Sequence, residues 1–294
     1  MSKRVLFLLV IIVLIAAVAC QAAPAEQTAS AEEAAQPDAA APAALPEVTF
    51  VGSEYAYDGP QSIGGGWTRV TLDNQGEQPH DLMLVRILEG KTEDEVMAML
   101  QDEEGAPPEW VDVVGSASAE AGGSGSFVSK LDPGSYYMLS FAGAGEESPP
   151  DFVLGMVRDL QVTEAAADVP ESALPEADAS ISMVDYQFVI EGLESGEQTV
   201  RLSNDGTELH EAVMFRLKEG KTMEDFQAFM EQEVPEGEPP MEEAGMVFLS
   251  PGNVTYATLD LEAGNHVLLC FIPSEKNDMT PHFMLGMMAE VAVN

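Results

Sequence analysis

Four side chains in the last third of the sequence are of types that bind a soft metal: His210, Cys270, His282 and Met287. A thiolate and two imidazoles make a trigonal donor set, and a thioether adds a weak axial contact. The sulfurs favour Cu(I) while the imidazoles accept Cu(II), so the set suits a copper ion that changes oxidation state with little rearrangement. His210 closes the run Asn204-Asp-Gly206-Thr-Glu-Leu-His210, and Cys270 ends Gly264-Asn-His-Val-Leu-Leu-Cys270. His282 follows after 11 intervening residues, and Met287 lies five positions beyond it. Each residue alone also fits a structural role. A cysteine in an apolar strand is often a small buried hydrophobe, His210 fits a surface histidine, and Met287 fits core filling. Met279, Met284, Met287 and Met288 crowd the same final segment, as core filler or as thioethers for Cu(I). His266, four positions before Cys270, has no ligand role in this reading.

The elements that must position these residues are mostly strands. Ser180 to Ile190, Gln198 to Ser203, Ala212 to Leu217, Val254 to Leu261 and Val267 to Ile272 are short β-rich runs bounded by Gly, Asn, Asp or Pro. The segment after His282 reads as a last strand ending at Val293. One helix interrupts them. Thr222 caps it with Asp225 three residues on, and Met223, Phe226 and Met230 share one face. The pattern occurs twice. Thr71 to His80 matches Arg201 to His210, Glu89-Gly-Lys-Thr92 matches Glu219-Gly-Lys-Thr222, and Gly134 and Phe141 match Gly264 and Phe271, all 130 residues apart. Leu154-Gly-Met156 matches Leu285-Gly-Met287 at an offset of 131, so the last loop of the second copy carries one insertion. A period this long indicates domain duplication rather than a stacked array. The expected fold is all-β, with two tandem Greek-key sandwiches and one short helix in each.

The stretch from Asn204 to Phe215 resembles the first ligand segment of the plastocyanin-like, blue-copper cupredoxins. Gly264 to Val293 resembles their C-terminal ligand loop, with Gly, then Cys270, then His282, then Gly286-Met287. The resemblance covers the last 95 or so residues directly and the first copy by repetition. It implies an eight-stranded sandwich with copper at one end, held by His210, Cys270, His282 and Met287. The departure is loop length, because the small electron-transfer members have far fewer residues between Cys and His. The first copy retains His80 and Met156 but has Ser140 in place of Cys270 and Asp151 in place of His282. A copper site of this type is therefore expected in the second copy alone.

The termini and composition place the chain. Met1 to Arg4 is short and basic, and Val5 to Ala19 is an apolar run of 15 residues, shorter than a comfortable membrane span and suited to a secretory signal. It ends in Ala17-Val-Ala-Cys20, which resembles a bacterial lipobox. The resemblance implies a signal over residues 1–19 and a lipid on Cys20; the other reading is an uncleaved signal anchor. Residues 20–44, rich in Ala, Pro, Glu and Gln, read as a tether, 45–163 as the first domain, 164–178 as a linker and 179–294 as the second domain. With Cys20 lipidated, Cys270 has no disulfide partner in the chain. There are 51 acidic and 12 basic residues, a net charge of −39. Such a surface repels phosphate backbones and excludes nucleic acid as a partner. It suits a solvated acidic face, or a basic redox partner such as a cytochrome.

Only four histidines are present, too few for a multicopper oxidase or for the second metal site of a nitrite reductase, and recognised hydrolase and phosphate-loop motifs are absent. The expectation is a protein that is not an enzyme: an envelope-facing, membrane-anchored lipoprotein that binds copper and transfers electrons or handles the metal. The alternative is a metal-free envelope lipoprotein with structural or protein-binding sandwiches.

Overall fold

The structure is a computed structural model that describes residues 44–88, 90–100, 108–143, 148–230, 232 and 237–294. The signal, the Cys20 lipidation site and all of the tether except Ala44 lie outside the described residues. Among the described residues no helix is long and apolar enough to cross a membrane.

The first half runs β1 (Glu47–Ser53), β2 (Ala56–Asp58), β3 (Ser62–Gly64), β4 (Gly66–Asn74), β5 (His80–Ile87), α1 (Glu93–Leu100), β6 (Val111–Ala119), β7 (Ser124–Leu131), β8 (Gly134–Leu139) and β9 (Val157–Thr163). The second runs β10 (Ala179–Val184), β11 (Gln187–Glu191), β12 (Gly196–Asn204), β13 (His210–Leu217), α2 (Met223–Met230), β14 (Met241–Leu249), β15 (Val254–Leu261), β16 (Gly264–Leu269), β17 (Pro273–Ser274), β18 (Thr280–Pro281) and β19 (Met288–Val293). The run from Ser180 to Ile190 is two strands, because Tyr186 turns the chain in the left-handed region (φ 63°), as Tyr55 does in the first half (φ 60°).

Each half is a two-sheet sandwich. In the second, β11-β10-β12-β15 faces β14-β13-β16-β19, eight strands in all. In the first, β2-β1-β4-β7 faces β3-β9-β8-β5-β6, with the short β3 added in parallel beside β9. Alternation drives this packing. Along β4 every second residue, Thr68, Val70, Leu72 and Asn74, is buried, and Val70 and Leu72 join Phe50 and Phe127 in one core. The second core gathers Ile181, Met183, Leu202, Leu249 and Leu268 together with Cys270 and Met287. Both helices lie outside the sheets. The capping box forms as expected: the Asp225 carboxylate accepts the Thr222 N–H at 2.9 Å, and the Thr222 hydroxyl accepts the Asp225 N–H at 3.2 Å. The fully buried Phe226 then anchors α2 on Leu217, Val267 and Leu269, with Met223 and Met230 half-buried beside it.

The sequence pattern did not foretell how the halves join. β15 pairs antiparallel with β7, Thr255 to Ser129, Tyr256 to Val128 and Ala257 to Phe127, so one sheet of eight strands runs through both sandwiches. Ser129 Oγ donates to Thr255 Oγ1 at 2.8 Å, and Ser250 exchanges bonds with Val113 across the same seam, N–H to O at 2.9 Å and Val113 N–H to Oγ at 2.8 Å.

Candidate metal centre

His210 opens β13 after a tight turn that Asn204 builds. The Asn204 amide donates to the carbonyls of Glu208 and Leu249 at 2.8 and 2.7 Å, and its Oδ1 accepts the Gly206 N–H at 2.9 Å. Gly206 has no substitute here. A Cβ on it would fall against the Asp185 carboxylate and 2.6 Å from His210 Nε2. Cys270 follows the end of β16, and the 11-residue loop after it closes back on itself. The β17–β18 hairpin takes up its length, Phe283 N–H donates to Cys270 O at 2.8 Å, and His282 N–H donates to Ile272 O at 2.9 Å. Loop length is thus no obstacle to bringing Cys270 and His282 together.

The structure brings His210, Cys270 and His282 into one fully buried cluster. The two Nδ1 atoms are 3.1 Å apart, and Cys270 Sγ is 3.3 Å from that of His282 and 4.0 Å from that of His210. The circle through those three atoms has a radius of about 2 Å, close to the length of a bond from a transition metal to nitrogen or sulfur. Met287 is fully buried in the core that contains Cys270. Its N–H donates to His282 O at 2.9 Å and its carbonyl accepts the Cys270 N–H at 3.3 Å, so its backbone braces both residues. His266 lies apart, its Nδ1 3.3 Å from its neighbour's carbonyl at Gly264.

Electrostatics suit metal capture. Burial, reinforced by the neighbouring His210, pulls His282 down to about 4, and burial also lowers His210. Both rings are therefore neutral at pH 7. Burial, with the Glu211 carboxyl nearby, pushes the Cys270 thiol up to about 12, so metal binding must release its proton. Glu211 is itself buried, which raises it to about 7; its Oε1 accepts the Phe271 N–H at 2.6 Å while its own N–H donates to Cys270 Sγ at 3.4 Å. Burial acts to raise Asp185, but bonds from the Thr207 hydroxyl and N–H and from His210 outweigh it and hold Asp185 at about 2. An ionised Asp185 only accepts hydrogen bonds. The His210 Nε2 at 3.1 Å from Asp185 Oδ1 therefore carries the proton, and Nδ1 keeps its lone pair for the cluster. Tyr186 packs edge-on against His282 at 5.2 Å between ring centres, and its hydroxyl donates to Glu208 Oε2 at 2.7 Å. The sequence reading missed Asp185, Tyr186, Glu208 and Glu211. One signal was present: Glu54-Tyr55 and Asp185-Tyr186 recur at the 131 offset.

In the first half the same cradle holds other groups. Asp151 Oδ2 lies 2.7 Å from His80 Nδ1 and accepts the Ser140 hydroxyl at 2.8 Å, all three buried. A hydrogen-bonded carboxylate fills the place where the second half gathers soft donors.

No family model matches the chain, and no curated protein matches it. Solved structures do. A dithionite-reduced auracyanin from the photosynthetic bacterium Roseiflexus castenholzii is 20% identical, over 41% of this chain and 99% of its own, with a TM-score of 0.30. Auracyanin A, a blue copper protein from Chloroflexus aurantiacus, is 15% identical, over 40% of this chain and 98% of its own, with a TM-score of 0.29. A blue copper oxidase from Nitrosomonas europaea is 14% identical, over 85% of this chain and 86% of its own, with a TM-score of 0.23. These are cupredoxin-like copper proteins, in keeping with the resemblance drawn from the ligand segments, and the buried His-Cys-His set is compatible with one copper ion. One expectation is corrected. The chain was expected not to be an enzyme, yet the similar structures include oxidases and a copper-containing nitrite reductase. Counting histidines excludes two particular multi-copper designs and says nothing of catalysis in general, since one fold hosts many functions.

Proposed function

We propose that this chain is an extracytoplasmic, lipid-anchored copper protein whose second sandwich, residues 179–294, holds one ion through His210, Cys270 and His282, with Met287 as the axial thioether. The observation that supports it is the set of three buried donor atoms spaced around a common point about 2 Å from each. Bound there, copper supplies one-electron redox chemistry. The protein's part is to exclude water, to hold both imidazoles neutral with their Nδ1 atoms inward, and to keep the donors fixed through the Cys270–Met287 and His282–Met287 backbone bonds. The acidic surface then favours a basic redox protein such as a cytochrome, and that association should weaken as salt rises.

For residues 45–163 the buried Ser140–Asp151–His80 set favours a metal-free module. Adding Cu(II) to the purified chain tests the whole reading. An intense thiolate-to-copper absorption band with one copper per chain is expected, and Cys270→Ser abolishes the band. A colourless wild type whose Cys270 stays fully reactive to a thiol reagent after copper addition overturns it.

A further inference from the structure

Resting on the copper reading above, we propose that Asp185 and Glu208 are positioning residues, one behind each imidazole, that fix the ring tautomers and bias the centre toward the more positive, oxidised metal. The rings of His210 and His282 each turn Nδ1 inward to Cys270 and Nε2 outward. Each outward nitrogen faces a carboxylate. Asp185 Oδ1 is 3.1 Å from His210 Nε2, and Glu208 Oε2 is 3.7 Å from His282 Nε2. His282 Nε2 is buried and has no hydrogen-bond partner among the described residues, so Glu208 is the acceptor that waits for its proton.

Both carboxylates are built in. Asp185 is locked by the Thr207 N–H and hydroxyl, each at 2.7 Å, and the bare Cα of Gly206 leaves the space in which it meets His210. Glu208 is held by the Tyr186 hydroxyl at 2.7 Å and by Ser274 at 3.1 and 3.2 Å. Tyr186 is in turn held by Asn277 at 2.7 Å. The first half shows what is specific to the second. Glu54 occupies the corresponding place and is engaged by the Glu77 N–H at 2.5 Å, but His80 Nε2 makes no hydrogen bond among the described residues. There the carboxylate that meets the histidine is Asp151, inside the cluster rather than behind it. A negative charge behind a neutral ligand leaves the donor set soft, fixes the proton on Nε2, and interacts more strongly with the metal's higher charge state.

The test uses the full chain with Asp185→Asn and Glu208→Gln. Affinities for Cu(II) and Cu(I) are measured separately by chelator competition, and the reduction potential by spectroelectrochemistry. Each variant should keep the thiolate-to-copper band and lose about 10- to 100-fold in Cu(II) affinity with a smaller loss for Cu(I). The potential should rise by about 59 mV for each tenfold difference. Equal losses in both oxidation states, or an unchanged potential, overturn the proposal. In the metal-free wild type, ring nitrogen NMR should show the His210 proton on Nε2, and an Nδ1 proton there overturns it without reference to copper or to how well a variant folds. A wild type with no copper band sinks the copper reading instead, so the two failures are distinguishable.

Discussion

Restoring Cys and His to the first sandwich should give it a metal site. The reason is backbone, residue by residue. Ser140 N–H to Met156 O is 3.3 Å, as is Cys270 N–H to Met287 O. Phe152 N–H to Ser140 O is 2.9 Å against 2.8 Å for Phe283 to Cys270, and Asp151 N–H to Ala142 O is 2.7 Å against 2.9 Å for His282 to Ile272. Met156 to Asp151 and Met287 to His282 are both 2.9 Å. The Asp81 N–H already points at Ser140 Oγ, 3.0 Å away, as the Glu211 N–H points at Cys270 Sγ. These agreements lie within the tolerance of about 0.2 Å that a metal site allows its ligands. What keeps soft metal out is the polar trio itself. Removing its acceptor alone, with Asp151→Ala, leaves His80 Nδ1 and the Ser140 hydroxyl unpaired in an apolar interior, at about 1–3 kcal/mol each. That variant should therefore unfold in urea with a loss of about 2–6 kcal/mol. The paired change Ser140→Cys with Asp151→His replaces the trio as a unit. Metal analysis and the visible band should then report two copper ions per chain instead of one, with neither single change adding an ion. A folded double variant that still binds one would show that matched backbone is not sufficient, and would refute the reasoning.

Other perturbations read the fold. Phe226→Ala should cost about 3–5 kcal/mol in urea unfolding, because Phe226 is the one fully buried side chain of α2 and its loss opens a cavity over β13 and β16. A value under about 1 kcal/mol would mean that α2 is not docked as described. Asp112, at the seam between the halves, accepts from Asn253 Nδ2 at 2.7 Å, and burial raises its carboxyl above the ordinary range despite that bond and Arg86 nearby. With a raised folded value the native state holds the proton longer than the unfolded chain. The Asp112 contribution is thus fully present at acid pH and is lost as pH rises through the window above the ordinary carboxylate value. Urea titrations across that window should show the slope in wild type minus Asp112→Asn. A difference that does not change with pH would count against the buried placement of Asp112.

The metal donors were legible because their types and order survive in the chain, and because the second copy could be set against a first that lacks two of them. Their closeness was not legible. Eleven residues separate Cys270 from His282, and only the β17–β18 hairpin and the Phe283 and His282 backbone bonds show how that length folds away. The carboxylates behind the rings escaped notice because Asp185 and Glu208 are two among 51 acidic residues, and pattern alone does not separate a braced carboxylate from a solvated one. β14 escaped because Met241–Leu249 begins with two exposed glutamates and alternates poorly, its burial being set by partners on β6 and β13 rather than by a local period. The shared sheet escaped because nothing local distinguishes a strand that pairs within its own copy from one that pairs with its twin.

That join has a consequence of its own. β7 and β15 are the same strand of the repeat, 130 residues apart, and Phe127 pairs with its own counterpart Ala257. The contact is therefore self-complementary, of the kind by which two identical molecules form an isologous dimer. A lone copy would carry this strand as an open rim, a standing template for another chain. Carrying both copies in one polypeptide closes each rim with the other and removes the dependence on concentration. The first sandwich has Ser140 and Asp151 where metal donors would be, yet it keeps work to do: it is the permanent cover for the rim of the second.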